Sequence, residues 1–197
     1  MIRTFARLIP LAIAIALPVA ADDTSKMTPA QQAEMDAYVK AGTPGPVHAD
    51  ISKWAGNYDL SIKSWHTPGT EATIETGTAT RKMVLGGRVM VEDMSSRMMG
   101  QPFTGHGMHG YDNVTGKHWS TWNDSMSTGL MTSEGTCDSN HACTFTGSWV
   151  DPVKKTKVTS RMTTRQASAT SEVFEMHGPA PDGKEFKMME ITYTKKP

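Results

Sequence analysis

The chain of 197 residues sets twenty Lys and Arg against twenty Asp and Glu. It therefore lacks the basic excess that a nucleic-acid partner favours, and no long run of like charge marks a polyanion or membrane-surface patch. Its length suits one domain once an N-terminal leader is set aside.

That leader is residues 1–21, which read as a signal peptide. Arg3 and Arg7 give a positive start, and residues 8–17 form an apolar stretch. Val19-Ala20-Ala21 then offers small residues for cleavage near Ala21. The apolar run, flanked by Pro10 and Pro18, falls short of the roughly 20 residues that span a bilayer as a helix. No Cys follows it, so it does not read as a lipid-anchoring signal. The expectation is a periplasmic or secreted protein without membrane insertion.

Residues 22–46 read as a helical lead-in and linker, and residues 47–197 as a β-barrel domain. In the lead-in, residues 28–40 form the best helix of the chain. Thr28 caps it, Pro29 fits the first helical position, and Gln31 completes a capping box. Gly42 and Pro44 end it. A second, short helix is expected over residues 49–54.

From Ala55 on, Thr, Val, Ile, Met and aromatic residues alternate with polar ones in short runs. The runs cover 56–66, 71–84, 87–98, 103–111, 117–124, 128–136, 143–150, 156–166, 170–178 and 184–195. About ten strands with short connections and no helical insert argue an antiparallel meander. Tight turns punctuate it at Leu85-Gly86-Gly87-Arg88, at Asp112-Asn113-Val114-Thr115-Gly116, and at Pro181-Asp182-Gly183-Lys184. A flat meander exposes two edges, and closure into a barrel removes them. Cys137 and Cys143, with five residues between them, bracket the link between two of these strands. In an exported protein that spacing reads as a structural disulfide across a hairpin, worth roughly 2 kcal/mol at best.

Two groups of residues carry a resemblance. Trp54-Ala55-Gly56-Asn57-Tyr58-Asp59 resembles the G-x-W signature that opens lipocalin-like barrels, with Tyr58 in the Trp place. If Tyr58 points inward, so do Leu60 and Ile62. The longer match runs from about Gly45 to Tyr193. It rests on Pro44-Gly45-Pro46-Val47-His48, Leu85-Gly86-Gly87-Arg88, Gly110-Tyr111-Asp112-Asn113, Ser120-Thr121-Trp122-Asn123-Asp124-Ser125-Met126-Ser127-Thr128-Gly129, Ser133-Glu134-Gly135-Thr136 and Asp182-Gly183-Lys184-Glu185-Phe186-Lys187-Met188-Met189-Glu190. In this order the words resemble the family known as domain of unknown function 1579. The resemblance implies an all-β, lipocalin-like closed antiparallel β-barrel. It implies no reaction and no catalytic residues.

The hexapeptide Gly105-His106-Gly107-Met108-His109-Gly110 matches G-x-G-x-x-G, but a nucleotide loop must follow a strand and open a helix. Here a hairpin turn follows instead. On a strand His106 and His109 point to opposite faces and cannot share an ion, whereas His106 and Met108 share one. The chain has fifteen Met; soft thioethers suit Cu(I), but Met also fills core gaps. Core packing is favoured, and no metal or cofactor is assigned. Hydrolase motifs are absent. In Lys117-His118-Trp119-Ser120-Thr121-Trp122-Asn123-Asp124, one face carries His118, Ser120, Trp122 and Asp124, and Trp119 lies on the other. A Trp beside an acid on an inner wall suits a small-ligand cavity; the competing reading has Trp122 filling the core and Asp124 capping the next turn. Arg88, Glu92, Arg161, Glu175 and Glu190 interrupt apolar strands with ambiguous parity, and any that point inward must pair. His48 is expected at a helix start rather than in a site.

The leading expectation is a binding barrel for a small, largely apolar molecule, with Tyr111, Trp122, Asp124 and Met126 near a cavity of a few hundred Å³. The alternative is a structural or protein-interaction barrel with a filled core. A weaker alternative is a metal- or haem-binding or enzymatic barrel.

Overall fold

The computed structural model describes residues 27–152 and 154–197; the expected signal peptide lies outside them. The chain divides into two units between Asp36 and Ala37, within the first helix. Helix α1 spans Pro29–Gly42 and α2 spans Pro46–Ser52. Ten strands follow: β1 Gly56–Ser64, β2 Thr73–Val84, β3 Val89–Met98, β4 Gln101–Asp112, β5 Lys117–Asp124, β6 Met131–Cys137, β7 Cys143–Val150, β8 Lys157–Ser168, β9 Ser171–Pro179 and β10 Glu185–Lys195.

The capping box at the start of α1 forms as expected. The Gln31 side chain accepts from the Thr28 backbone N–H at 2.9 Å, and the Thr28 hydroxyl accepts from the Gln31 N–H at 3.3 Å. Helix α2 begins three residues before the expected position 49. Pro46 suits a first helical turn because its missing N–H is no loss there. The His48 ring nitrogen Nδ1 accepts from the Gly45 N–H at 3.1 Å, so His48 does serve a helix start.

Every strand pairs antiparallel with its sequence neighbour, and β1 pairs with β10 to close the ring. The closing seam sets Tyr58 opposite Lys195 and Leu60 opposite Tyr193. Because consecutive strands reverse direction, connections after even-numbered strands gather at one end. That end also holds α2, which leads into β1; we call it the helix end and its opposite the far end. Period two then sorts the side chains. Tyr58, Leu60 and Ile62 on β1 all face inward and are buried, with Met94, Phe103, Ile191 and Tyr193 around them. Strand β6 starts at 131 rather than 128. The Ser127 hydroxyl accepts from the Gly129 N–H, and Asn123 donates to the Gly129 carbonyl, which hold those residues in a turn. Cys137 and Cys143 face each other in the β6–β7 register and are disulfide-bonded, as the spacing implies.

The glycine-rich hexapeptide lies wholly within β4. Each of its glycines lies beside an indole of β5. A Cβ on Gly105 would come within 2.2 Å of the Trp122 ring and one on Gly107 within 3.0 Å, both inside the barrel. On the outside, a Cβ on Gly110 would come within 2.4 Å of Trp119. The motif is thus a wall thinned for two tryptophans of opposite parity. His106 points out to water, 54% exposed, with its Nδ1 at 2.8 Å from Asp93 Oδ1. Gly105→Val should destabilise the barrel by about 1–3 kcal/mol through overpacking. Urea unfolding will read this, and adding Trp122→Ala should recover part of the loss; a neutral Gly105→Val would contradict this contact.

Candidate functional site

The barrel is hollow. It encloses a cavity of about 1000 Å³ that runs from the helix end to the far-end loops. This exceeds the few hundred Å³ expected from the sequence, because a ring of ten strands is wider than its inward side chains fill. Along the middle runs a soft apolar wall of Met94, Met98, Met162, Met176 and Met189 with Trp122, and Glu75, Arg97 and Asp124 line the cavity toward the far rim. Met side chains conform to irregular contents better than branched ones.

The helix-end half is polar, and two clusters make it so. The first sits at the closing seam. Arg81 on β2 donates from Nε to Glu92 on β3 at 2.5 Å, and from Nη1 to Glu172 on β9 at 2.6 Å. Tyr193 on β10 donates its hydroxyl to the other Glu92 oxygen at 3.1 Å. The guanidinium carbon lies 4.1 Å from the Tyr193 ring centroid and 5.1 Å from that of Tyr58, a doubly faced cation–π arrangement. The Tyr58 hydroxyl in turn donates to the Trp54 carbonyl at 2.6 Å, tying β1 to the end of α2. Burial opposes the Arg81 charge, but Glu172 and Glu92 overcome it and hold its pKa well above the ordinary value. Burial, with Glu92 next, pushes the Tyr193 phenol far up. The register explains the assembly: Arg81 is directly opposite Glu92, and Glu172 is directly opposite Tyr193.

The second cluster faces it from β4 and β5. His109 Nε2 and His118 Nδ1 are 3.0 Å apart. Tyr111 meets the His118 ring at 5.0 Å and Phe145 meets the His109 ring at 5.9 Å, both edge to face. Burial lowers the His109 pKa from 6.5 to about 3, helped by the neighbouring His118 and by the Arg81 charge. Burial, with His48 second, lowers that of His118 too. Both rings are therefore neutral at physiological pH.

A profile of the family described as "Protein of unknown function (DUF1579)" matches residues 43–195. The chain belongs to the DUF1579 family. Among solved structures, the crystal structure of Rv2717c from M. tuberculosis is similar at a TM-score of 0.60 and 10% identity, over 79% of this chain and all of that one. At that identity the likeness shows the fold alone. A redesigned β-barrel aligns at a TM-score of 0.37 and 12% identity, over 74% of this chain and 94% of that one, which carries no argument. No curated protein matches the chain.

In this DUF1579 barrel the four residues expected near the cavity all line it, but at two ends. Tyr111 belongs to the polar helix-end half. Trp122, Asp124 and Met126 lie toward the far end. Trp122 donates from Nε1 to Asp124 Oδ2 at 3.1 Å, while Asp124 Oδ1 accepts from the Met126 N–H at 2.9 Å. The indole lines the cavity and packs on the core, and Asp124 caps the next turn. Met126 is half exposed at the rim.

Of the five charged residues left ambiguous, Glu92 alone takes part in the inner cluster. Arg88 donates to the Gly42 and Leu85 carbonyls, Arg161 pairs with Glu185, and Glu175 and Glu190 pair with Lys187. Sequence reasoning missed Arg81, Glu172 and His109. The available signal was parity: Arg81 shares a face with Ala79, and His109 shares one with Phe103, Gly105 and Gly107. Among the described residues no group of three or more His, Cys, Asp or Glu could hold a metal ion.

Arg81→Met should cost about 3–5 kcal/mol at pH 7, since it leaves two inner carboxylates unpaired. Adding Glu92→Gln and Glu172→Gln should restore most of it; urea unfolding of both variants is the check. The histidines predict a pH slope. Above pH 6.5 the His109 ring is neutral folded and unfolded. Between about pH 6.5 and about 3 the unfolded ring takes up a proton that the folded ring refuses. Stability should therefore fall with falling pH, by up to about 1.4 kcal/mol per unit from this group. Comparing chain and His109→Gln variant by urea unfolding at pH 7 and pH 5 isolates it, and equal slopes would refute it.

Proposed function

We propose that this DUF1579 barrel is an exported binding protein for a small, largely apolar molecule. The observation that carries this is the hollow interior, about 1000 Å³ in volume. Ligand pockets run from roughly 300 to 1,000 Å³, are mostly apolar, and hold a few placed polar groups. The Met-rich wall and the separate polar end fit that description, and Trp122 and Met126 lie where an apolar chain would pass. Tyr111 belongs to the polar end, and Asp124 orients the Trp122 indole. An exported location is supported by the Cys137–Cys143 disulfide, because such bonds persist in oxidising compartments. A periplasmic or secreted site is part of this proposal. Among the described residues no helix is long and apolar enough to cross a membrane.

The neutral fluorophore N-phenyl-1-naphthylamine should bind with an emission increase. Filling the cavity should weaken it. Ser120 and Ser133 face each other across the wall with hydroxyls 2.5 Å apart, so replacing both by Phe adds bulk without orphaning a polar partner. The double variant Ser120→Phe/Ser133→Phe should lower probe affinity about tenfold, a loss of about 1.4 kcal/mol. Native mass spectrometry of protein purified from its own host should show a co-purifying small molecule. A protein that takes up no probe and carries no added mass would leave the barrel without a binding role.

A further inference from the structure

Granting that binding role, the polar half of the cavity constrains the chemistry of the ligand's head. The Arg81 charge is already matched by two carboxylates and covered by two aromatic faces. Among the described lining residues the other Arg or Lys is Arg97, exposed at the far rim, where it donates to the Gly100 carbonyl. No spare cation awaits an anionic head inside. The carboxylates of the polar half are also committed: both oxygens of Glu92 accept hydrogen bonds, and Glu172 holds Arg81. Toward the far end both oxygens of Asp124 accept hydrogen bonds, and Glu75 accepts from the Gly100 N–H at 3.4 Å, away from the histidine pair.

The His109–His118 pair is different. Its mutual contact uses one nitrogen of each ring. The remaining two, His109 Nδ1 and His118 Nε2, have no hydrogen-bond partner among the described residues, and both side chains line the cavity. Elementary proton counting then fixes what they offer. Two neutral imidazoles carry one N–H each. One proton lies in the contact between the rings. Whichever ring owns it, the two outer nitrogens are one donor and one acceptor. If His109 donates, its outer nitrogen is the bare lone pair and His118 carries the outer N–H; if His118 donates, the roles exchange. The pair can therefore meet a head that donates and accepts at once, in either order, and supplies no countercharge to an ion.

We infer that this cavity selects an amphipathic ligand with an uncharged, hydroxyl-bearing head set against His109 and His118, its apolar chain lying along the methionine wall. An anionic carboxylate head is disfavoured, because it would lose its water without gaining a cation. This sets the barrel apart from one that holds a carboxylate through a free arginine.

Isothermal titration calorimetry at pH 8 with 1-dodecanol, dodecanoate and dodecylammonium tests this with one chain length and three heads. The alcohol should bind at least about tenfold more tightly than either ion. In His109→Phe, and independently in His118→Gln, the preference for the alcohol should shrink toward parity. Circular dichroism and thermal unfolding establish that each variant is folded, and a failure of one to fold leaves the other to decide. Tighter binding of dodecanoate, tighter binding of dodecylammonium, or an alcohol preference unchanged in a folded variant would overturn the inference. Dodecanoate binding that vanishes in Arg97→Ala would instead place an anionic head at the far rim, and also overturn it. In each of these outcomes a probe still binds, so the binding role itself stands. Absence of binding by all three probes and by N-phenyl-1-naphthylamine would remove that role and this inference together.

Discussion

The pairing of β1 with β10 is the constraint on which everything else rests. It removes both exposed edges of a ten-strand meander. It also fixes the circumference, and a ring of ten strands is wider than its own inward side chains fill. Tyr58, Leu60, Ile62, Ile191 and Tyr193 pack along the seam, with Ala79, Met94 and Phe103 beside them. The remaining interior is open. The cavity follows from strand number and closure, not from any single residue that holds it apart.

Closure also brings together groups that no shorter-range structure would. The β2–β3 hairpin already sets Arg81 opposite Glu92, and the seam of β1 with β10 then brings Glu172 of β9 to that pair. Such a cluster is poor insulation against unfolding, since desolvating ions costs as much as pairing them returns. Its effect is positional. It stiffens the helix end, ties through Tyr58 to Trp54, and occupies the sole inner guanidinium among the described residues. Opposite it, burial keeps His109 and His118 uncharged. The result is a gradient of polarity along the barrel axis, from a committed charged seam and a neutral imidazole pair to a soft thioether wall. A molecule with one polar end and one apolar end matches such a gradient in one orientation.

Much of the scaffold was legible in the chain. Strand positions follow from period-two alternation and turn residues, both local properties, and the ends differ mainly where side chains close a turn, as Ser127 and Asn123 do before β6. The disulfide was legible because a five-residue hairpin leaves its flanking cysteines nowhere else to go. Tyr58 was legible as an inward plug from its place after a glycine at the first strand. The opposite parity of Trp119 and Trp122 was legible too, but not that the glycines of β4 exist to receive them, since that needs the β4–β5 register.

By itself, then, the sequence determined about ten antiparallel strands in a barrel, its hairpins, its disulfide and the faces of its clearly alternating strands. These depend on interactions within a few residues, or on the shared need of apolar faces for one interior. Tertiary structure alone decided what that interior contains. Lys82 and Arg81 are adjacent cations in the sequence, and His106 and His109 are near neighbours. One of each pair is inside because the strands close into a ring in that register. Partners such as Arg81 and Glu172, ninety-one residues apart, and Glu92 and Tyr193, 101 apart, are joined by the ring and by nothing local. The volume left between them is a property of the closed circumference, which no segment of the chain carries on its own.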